Sequence, residues 1–212
     1  HGVPMVAPAV GGIPEILAGG GGTLVAPGDP AALGRVMNRV LNEWRPDAVL
    51  SAGDLIAGQK ASLTDAQVRA MWAAFDRNVG APLGNARIPF GFTLGNHEFD
   101  HGTIELERLQ KGGCAPQGCE PGEPFTGAAY QYLAANVTNA DGQLPPGTVP
   151  WKMFEAGGKK IAVIGTVTPE TATIVAPEGV RGYSFGDEAD AINKYVPEIK
   201  AAGAQAIVAT IH

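Results

Sequence analysis

The sequence has no surplus of basic residues and no long apolar run. Lysine and arginine total 15 of the 212 residues against 21 aspartates and glutamates, so the formal net charge is −6. A protein that binds a nucleic-acid backbone needs a basic surface to displace counterions, so this composition argues against such a partner. No stretch reaches the roughly 18–20 consecutive apolar residues of a transmembrane helix, and we expect no membrane span.

Cysteine is also scarce, with Cys114 and Cys119 as the only two, in a loop rich in glycine and proline. A zinc site would need further ligands in this loop, and the loop has none. A small local disulfide is therefore favoured over two free thiols, and it would indicate an oxidising, extracytoplasmic compartment. The chain opens on HGVPMVAPAV without a signal peptide and closes on ATIH, which predicts a fragment cut at both ends.

Glycine and proline, by contrast, are abundant, with 30 and 17 residues, and they predict many turns between short elements. Short apolar runs alternate with amphipathic segments, which predicts an α/β protein. Residues 1–42 predict two β-α units, and Asp29 is the expected N-cap of the second helix. A further helix is predicted to begin at a capping box formed by Thr64 and Gln67 and to end at Gly80.

The second half of the sequence predicts a mixture of strands and one long helix. Residues 102–128 are predicted to be mostly loop. Strands are predicted at YQYLAANV, VPWKMFEA and KKIAVIGTV, the last two as a hairpin around Gly157-Gly158. A helix is expected over 187–202 with Gly203 as its stop, followed by QAIVATIH as a final buried strand.

Polar residues follow three of the predicted strands directly. These are Gly-Asp at 53–54, Gly-Asn-His-Glu at 95–98 and the terminal His212. A lone Gly-Asp pair after a strand is usually a turn, whereas GNHE places three functional side chains where no packing need explains them. Because the carboxyl ends of strands in an open α/β sheet converge on one crevice, these residues can meet. Carboxylate, amide oxygen and imidazole suit a divalent cation, so the three clusters together predict a metal site.

Two of these clusters carry a family resemblance. PDAVLSAGDLIAG followed by PFGFTLGNHEFDHG resembles the second and third motifs of the calcineurin-like metallophosphoesterases. EFD, YLAANV, KKIAVIGTVTPET and AGAQAIVATIH resemble the 5'-nucleotidase branch, which includes UDP-sugar hydrolases and cyclic-nucleotide phosphodiesterases. The resemblance covers residues 43–212. It implies an extracytoplasmic enzyme with a two-sheet sandwich flanked by helices, which hydrolyses phosphate esters, above all 5'-nucleotides.

The resemblance also assigns roles to individual residues. It implies two divalent ions (Mn, Zn, Mg or Ca), with Asp54 as their bridge and Asn96 and His212 as further ligands. His97 would stay unligated and stabilise charge on the phosphoryl group and the leaving oxygen, and Asp100 would orient it. A carboxylate bonded to an imidazole fixes its tautomer and favours its protonated form, as phosphate transfer requires.

The sequence departs from the family pattern at two motifs. It has no Asp-x-His motif on a first strand, and it stops before the family's Gly-His-x-His motif. Those motifs would supply most ligands of the first metal ion. Asp54, Asn96 and His212 would remain, which is enough for one weakly held ion, and hydrolysis by this fragment alone is therefore an open question.

Residues 1–42 have a different resemblance, to the nucleotide-sugar-binding half of GT-B glycosyltransferases of the family 4 type. In that resemblance Gly11 and Gly12 would approach a diphosphate at a helix start, and Glu15 would lie near the donor. The alternative is a plain scaffold of two β-α units. We therefore expect a chimeric chain with two domains, 1–42 and 43–212. Two other functions stay open, a nucleotide-sugar-binding glycosyltransferase remnant and a non-catalytic α/β scaffold.

Overall fold

The computed structural model describes residues 5–9, 13–20, 22–26, 29–53, 64–114, 118 and 126–212. The chain divides into two compact units. The N-terminal unit is His1–Pro46 with Ile56–Ile88, and the C-terminal unit is Asp47–Leu55 with Pro89–His212. Among the described residues, no helix has both the length and the apolar character that crossing a membrane requires.

The described part of the N-terminal unit contains a parallel pair of strands and a series of short helices. Its elements are β1 (Met5–Pro8), α1 (Ile13–Leu17), β2 (Gly22–Val25), α2 (Pro30–Arg39), α3 (Asp65–Phe75) and α4 (Ala81–Ala86). Strand β1 pairs in parallel with β2. π-Helical turns prolong α2 over Val40–Trp44 and join α3 to α4 over Asp76–Gly80.

Both predicted helix caps of this unit are confirmed. The Ala32 backbone N–H donates to Asp29 Oδ1 over 2.8 Å at the start of α2. At the start of α3, the Gln67 backbone N–H donates to Thr64 Oγ1 over 3.3 Å, and the Thr64 backbone N–H donates to Gln67 Oε1 over 2.8 Å. These side chains satisfy N–H groups that have no partner inside the helix, which explains where each helix begins.

The prediction that Gly80 ends the second of these helices is wrong. Gly80 has helical dihedral angles, φ −60° and ψ −56°, and the π-helical turn that it closes runs directly into α4. Helical structure therefore runs on to Ala86. It ends at Arg87, whose φ of 55° lies in the left-handed region.

The C-terminal unit carries most of the strands. Its elements are β3 (Val49–Ser51), β4 (Phe90–Thr93), α5 (Gly102–Lys111), β5 (Tyr132–Leu133), β6 (Val137–Asn139), β7 (Thr148–Val149), β8 (Trp151–Ala156), β9 (Lys159–Thr166), α6 (Thr171–Ile174), β10 (Tyr183–Phe185), α7 (Glu188–Ala201) and β11 (Ala206–Ile211). A 3-10 turn, His97–Phe99, follows β4.

These strands form two main sheets, as expected for the predicted two-sheet α/β architecture. One sheet has the order β3-β4-β5-β7 and its neighbours pair in parallel. The other has the order β11-β9-β8, with β9 parallel to β11 and antiparallel to β8. Strands β6 and β10 form a separate antiparallel pair. The β8–β9 hairpin turns at Gly157 and Gly158, which have φ values of 55° and 70°, so the predicted hairpin is confirmed.

Two apolar clusters form the core of the C-terminal unit. The larger cluster surrounds β4, the 3-10 turn, α5 and β5, and its buried members include Phe92, Phe99, Leu106 and Tyr132. The smaller cluster places Ile164 of β9 among residues that include Ala191 and Ile199 of α7. Burial of these apolar side chains supplies the main stabilisation of the unit.

Three predictions for this unit are corrected by the structure. Residues 102–111 form α5 rather than loop; its N-cap residue His101 makes no capping bond, so the usual start signal is missing. The predicted strand YQYLAANV is divided into β5 and β6. Asn136 lies in the break, where its side chain bonds the backbone of Val167 and Gly186. The final strand β11 is confirmed but only partly buried, with Ile211 53% exposed.

Candidate functional site

Three strand ends of the C-terminal unit converge on a small group of residues. Strand β3 leads to Ala52 and Gly53, β4 leads through Leu94 to Gly95 and Asn96, and β11 leads to His212. Because β3 and β4 are parallel neighbours, their carboxyl ends reach the same edge of the sheet. We call Gly53, Asn96 and His212 the strand-end site.

The side chains of Asn96 and His212 lie in direct contact. His212 Nε2 is 3.0 Å from Asn96 Oδ1, and Asn96 is only 7% exposed. The other ring nitrogen, His212 Nδ1, hydrogen-bonds to the Ala52 carbonyl oxygen. The backbone also holds His212 in line with β9, because its N–H donates to Thr166 O over 3.1 Å. The structure therefore brings together two of the three predicted metal ligands.

The third predicted ligand, Asp54, lies outside the described residues. Among the described residues, no three His, Cys, Asp or Glu side chains are grouped so that they could hold a metal ion. The strand-end site is not a group of this kind, because one of its two donors is the amide of Asn96, and asparagine is not one of these four residue types. The metal roles of Asp54, Asn96 and His212 therefore stay predictions.

The hydrogen bonding of His212 fits a cation at this position. The Ala52 carbonyl can only accept, so Nδ1 of His212 carries the proton. In the neutral ring, Nε2 then has a lone pair directed at another acceptor, Asn96 Oδ1. A proton on Nε2, a reversed Asn96 amide or a cation held by both atoms removes this repulsion. Amide oxygen and imidazole nitrogen are ordinary donors to divalent metals, and a carbonyl on the second ring nitrogen is the usual support for a metal-binding histidine.

Glycine at position 53 permits this close approach. Its φ is 94°, and a Cβ atom there would lie 2.6 Å from both Gly95 N and His212 Nδ1. Real Cβ atoms do not approach other atoms so closely, and a positive φ is unfavourable for residues with a side chain. Any larger residue would therefore push the β3 end away from the two donors.

The turn that carries Asn96 is fixed by the residue two positions after it. Glu98 Oε2 accepts a hydrogen bond of 2.6 Å from the buried Gly95 N–H, and the Phe99 N–H donates to Asn96 O over 3.2 Å. A charged acceptor on a buried N–H makes a strong hydrogen bond. Glu98 thus supports the site by holding the backbone of the turn that carries Asn96.

His97 and Asp100 lie on the same turn and form the predicted contact. His97 Nδ1 is 3.2 Å from Asp100 Oδ1 and 3.0 Å from Oδ2, and the two side chains are 26% and 24% exposed. The carboxylate accepts from Nδ1–H, so the opposite nitrogen, Nε2, is left for other partners. The catalytic roles of both residues remain predictions.

Packing behind this turn is close. The Phe99 ring is fully buried and meets the Phe185 ring edge to face, with 5.1 Å between centroids. A Cβ at Gly179 would lie 2.2 Å from Phe99 O, so the loop before β10 rests directly on the turn backbone. The turn that presents His97 and Asp100 is therefore packed closely against the Phe185 ring and the loop before β10.

Sequence reasoning missed a second polar feature beside His212. The Thr168 N–H donates to His212 O over 3.0 Å, and the Thr168 hydroxyl bonds the Glu170 carboxylate. This hydrogen bond is the main reason that the pKa of the exposed Glu170 lies below its ordinary value. The signal for this feature in the sequence is TPET, which follows strand β9 closely and contains both Thr168 and Glu170.

The structure describes only some of the remaining predicted residues. Gly11 and Gly12 lie outside the described residues, while Glu15 is an exposed residue of the five-residue helix α1. The glycosyltransferase-like origin of 1–42 stays a prediction.

Cys114 is disulfide-bonded, as predicted, and Cys119 lies outside the described residues.

Comparison with known proteins gives one family and several relatives. Residues 10–200 match the family "Calcineurin-like phosphoesterase". The chain is 32% identical over 171 residues to Endonuclease YhcR of Bacillus subtilis, which covers 80% of this chain and 13% of that protein. It is 36% identical over 123 residues to the cell wall protein Lmo0130 of Listeria monocytogenes, which covers 57% of this chain and 16% of the relative.

A solved structure agrees with the family match. The 5'-nucleotidase precursor of Thermus thermophilus superposes with a TM-score of 0.60 at 27% identity, covering 85% of this chain and 30% of that chain. The predicted metallophosphoesterase-like α/β fold is thereby confirmed. The chain spans less than a third of the length of each of these three proteins.

Proposed function

Since the chain belongs to the calcineurin-like phosphoesterase family, we propose that it takes part in metal-dependent hydrolysis of phosphate esters and that 5'-nucleotides are its substrates. The observation that carries this proposal is the contact of Asn96 Oδ1 with His212 Nε2, beside the His97–Asp100 pair. One metal-type donor, Asn96, and the candidate proton donor His97 thus occur on adjacent residues of one turn, and His212 contacts Asn96 from the end of β11.

Asn96 and His212 would hold a divalent ion together with Asp54, which directly follows Gly53. When bound, such ions supply Lewis acidity toward phosphoryl oxygens and activate a water nucleophile. The amide and imidazole donors are neutral, so a carboxylate such as Asp54 is needed to balance the charge of the ion. The net charge of −6 offers no basic alternative for attracting a phosphate.

His97 would act on the phosphate ester itself. Asp100 accepts from His97 Nδ1 and orients the ring, so Nε2–H of the protonated ring can face the substrate. In hydrolysis the water oxygen bonds to phosphorus, the bond to the ester oxygen breaks, and the Nε2 proton passes to the departing oxygen. Asp100 stabilises the imidazolium before this transfer.

The preference for nucleotides is supported by the likeness to a 5'-nucleotidase precursor from Thermus thermophilus. The name of the relative Endonuclease YhcR suggests another phosphate-ester substrate, a nucleic acid. The acidic composition disfavours that substrate, because few basic residues are available for a long phosphate backbone. A single phosphate needs far less positive charge, so we favour the mononucleotide.

An extracytoplasmic location belongs to the same proposal. Cys114 is disulfide-bonded, and disulfides persist mainly in oxidising compartments. The Listeria relative is a cell wall protein. Both observations favour a periplasmic, cell-surface or secreted protein.

The test measures metal binding and turnover separately. The purified chain is titrated with Mn²⁺ by calorimetry and then assayed for phosphate release from a nucleoside 5'-monophosphate, with DNA and RNA as parallel substrates. His97→Asn should lower kcat by about 100-fold, the lower end of a general-acid contribution, with Mn²⁺ affinity unchanged. His101→Asn is the matched control, because His101 is an exposed histidine on the same turn and should keep full activity.

Each outcome bears on a different part of the proposal. A chain that binds Mn²⁺ but hydrolyses neither the nucleoside 5'-monophosphate nor DNA or RNA would contradict the hydrolase function. Cleavage of nucleic acid alone would overturn the substrate class and keep the chemistry. Equal loss of activity in His97→Asn and His101→Asn would contradict the role of His97.

A further inference from the structure

A pair of hydroxyl groups links the two main sheets beneath the strand-end site. Thr93 of β4 and Thr210 of β11 hydrogen-bond through their Oγ1 atoms, and Thr93 is fully buried. Thr210 Oγ1 also donates to the Ile164 carbonyl of β9 over 3.3 Å. A hydroxyl has one proton, so Thr210 uses its proton on Ile164 and Thr93 must donate to Thr210. We call this pair the threonine bridge.

The sheets approach closely at the same level. A Cβ at Gly165 of β9 would lie 2.6 Å from Thr93 Oγ1 and 2.6 Å from Leu133 Cβ. Gly165 therefore lets the three-stranded sheet come close to β4 and β5 of the four-stranded sheet. Without a glycine here the two hydroxyls would be held apart.

The threonine bridge is adjacent in sequence to both donors of the strand-end site. Thr210 precedes His212 by two positions, so their side chains project from the same face of the strand. Thr93 precedes Asn96 by three positions at the end of β4. The backbone of His212 is tied to β9 and the segment after it, through bonds with Thr166 and Thr168. The two donors thus belong to different sheets, and their spacing depends on how the sheets are joined.

We propose that the threonine bridge is a positioning device that sets the spacing of Asn96 Oδ1 and His212 Nε2. The inference rests on the proposed function, in which these two atoms share a divalent ion. The bridge is buried between the two sheets, two to three residues before the donors. It therefore fixes how β4 and β11 are aligned along the strand direction. Thr93 and Thr210 act through the donors and touch neither ion nor substrate.

The test removes the hydroxyls without changing the side-chain shape. Thr93→Val and Thr210→Val delete the bridge, whereas Thr93→Ser and Thr210→Ser keep a hydroxyl. The valine variants should bind Mn²⁺ about tenfold more weakly, as is typical when a residue that supports metal ligands is lost. They should also shift the His212 ring resonances in NMR spectra recorded without metal at one fixed pH. The serine variants should match the wild type in both measurements.

Thr166→Val is the matched control. Thr166 is also fully buried near the end of β9, and its Oγ1 has no hydrogen-bond partner among the described residues. Its replacement should leave Mn²⁺ affinity and the His212 resonances unchanged. Circular dichroism checks that each variant is folded. Thr210 is only partly buried, so Thr210→Val carries the test if Thr93→Val does not fold.

Failure of the inference and failure of the proposed function give different results. Folded valine variants with wild-type Mn²⁺ affinity and unshifted His212 resonances would overturn the positioning role. Serine variants as weak as the valine variants would also overturn it, since packing rather than the hydroxyl would then decide. If the wild type binds no Mn²⁺, the metal proposal fails. The His212 resonances of Thr210→Val then still decide whether the threonine bridge positions the ring.

Discussion

Gly53 lies where the ends of β3, β4 and β11 approach each other, and its missing side chain is essential there. Gly53→Ala should lower the free energy of unfolding, because the added Cβ would meet Gly95 N and His212 Nδ1 at 2.6 Å and because φ is 94°. We expect a loss clearly larger than the roughly 1 kcal/mol associated with a positive φ alone. Urea denaturation followed by circular dichroism measures the loss.

Gly158→Ala is the control for this substitution. Gly158 has a φ of 70° in the β8–β9 turn, and a Cβ there would meet nothing within 4 Å. It therefore reports the backbone strain without the steric clash. Equal losses for Gly53→Ala and Gly158→Ala would show that the strand-end site is looser than its distances indicate.

The Thr168–Glu170 hydrogen bond can be tested by titration. Thr168→Val should raise the pKa of the Glu170 carboxyl toward its ordinary value, because the hydroxyl bond is the largest cause of the lowered pKa. A lowered folded-state pKa contributes stability above the ordinary glutamate pKa, and this contribution is lost as the pH falls through the folded-state pKa. NMR titration of the Glu170 side chain measures the change.

Thr173→Val is the appropriate comparison, because the Thr173 hydroxyl donates to the backbone oxygen of Glu170 rather than to the carboxylate. The pKa of Glu170 should stay low in this variant. A Glu170 pKa that is the same in the wild type and in Thr168→Val would rule out the hydroxyl as the cause.

Helix α3 depends on the capping box at its start. Thr64→Ala should destabilise the N-terminal unit by about 1 kcal/mol, the usual effect of losing an N-cap side chain. Thr64→Ser keeps the oxygen that accepts from the Gln67 N–H and should stay near the wild type. Thermal denaturation compares the three proteins. If Thr64→Ser were as unstable as Thr64→Ala, the stabilisation would come from the threonine methyl group and not from the capping hydrogen bond.

Strand β5 carries a tyrosine whose ionisation reports the packing of the core. Burial, with smaller contributions from Tyr130, Glu98 and Glu105, raises the pKa of Tyr132 far above its ordinary value. Folding therefore gains stability from this phenol below the ordinary tyrosine pKa and loses it as the pH rises. Ultraviolet titration of the folded protein should give the same tyrosinate signal for the wild type and for Tyr132→Phe. A smaller signal in Tyr132→Phe would show that Tyr132 ionises normally.

Local features of these elements were predictable, and tertiary ones were not. The Thr64–Gln67 box and the Gly157-Gly158 turn depend on residues close in sequence, and both were predicted. Helix α5 was missed because His101 gives no capping signal. The break at Asn136 was missed because it depends on bonds to Val167 and Gly186, which are 31 and 50 residues away.

For the whole molecule, the sequence predicted which strand ends meet but not how they are held. The rule that parallel strand ends share one edge applies to β3 and β4, which lie in one sheet. His212 reaches Asn96 from the other sheet, so their contact also depends on how the two sheets pack. The threonine bridge could not be predicted, because threonines at 93 and 210 read as ordinary strand residues. The close approach at Gly165 was equally invisible, since it depends on the distance between two sheets.

The central claim is that separate strand ends supply donors to one cation. Its most direct test is anomalous diffraction from crystals of the chain soaked in Zn²⁺. We predict an ion within about 2.0–2.2 Å of both Asn96 Oδ1 and His212 Nε2, the usual distances for zinc with oxygen and nitrogen ligands. An ion bound only elsewhere, or none at the strand-end site at saturating Zn²⁺, would contradict the account.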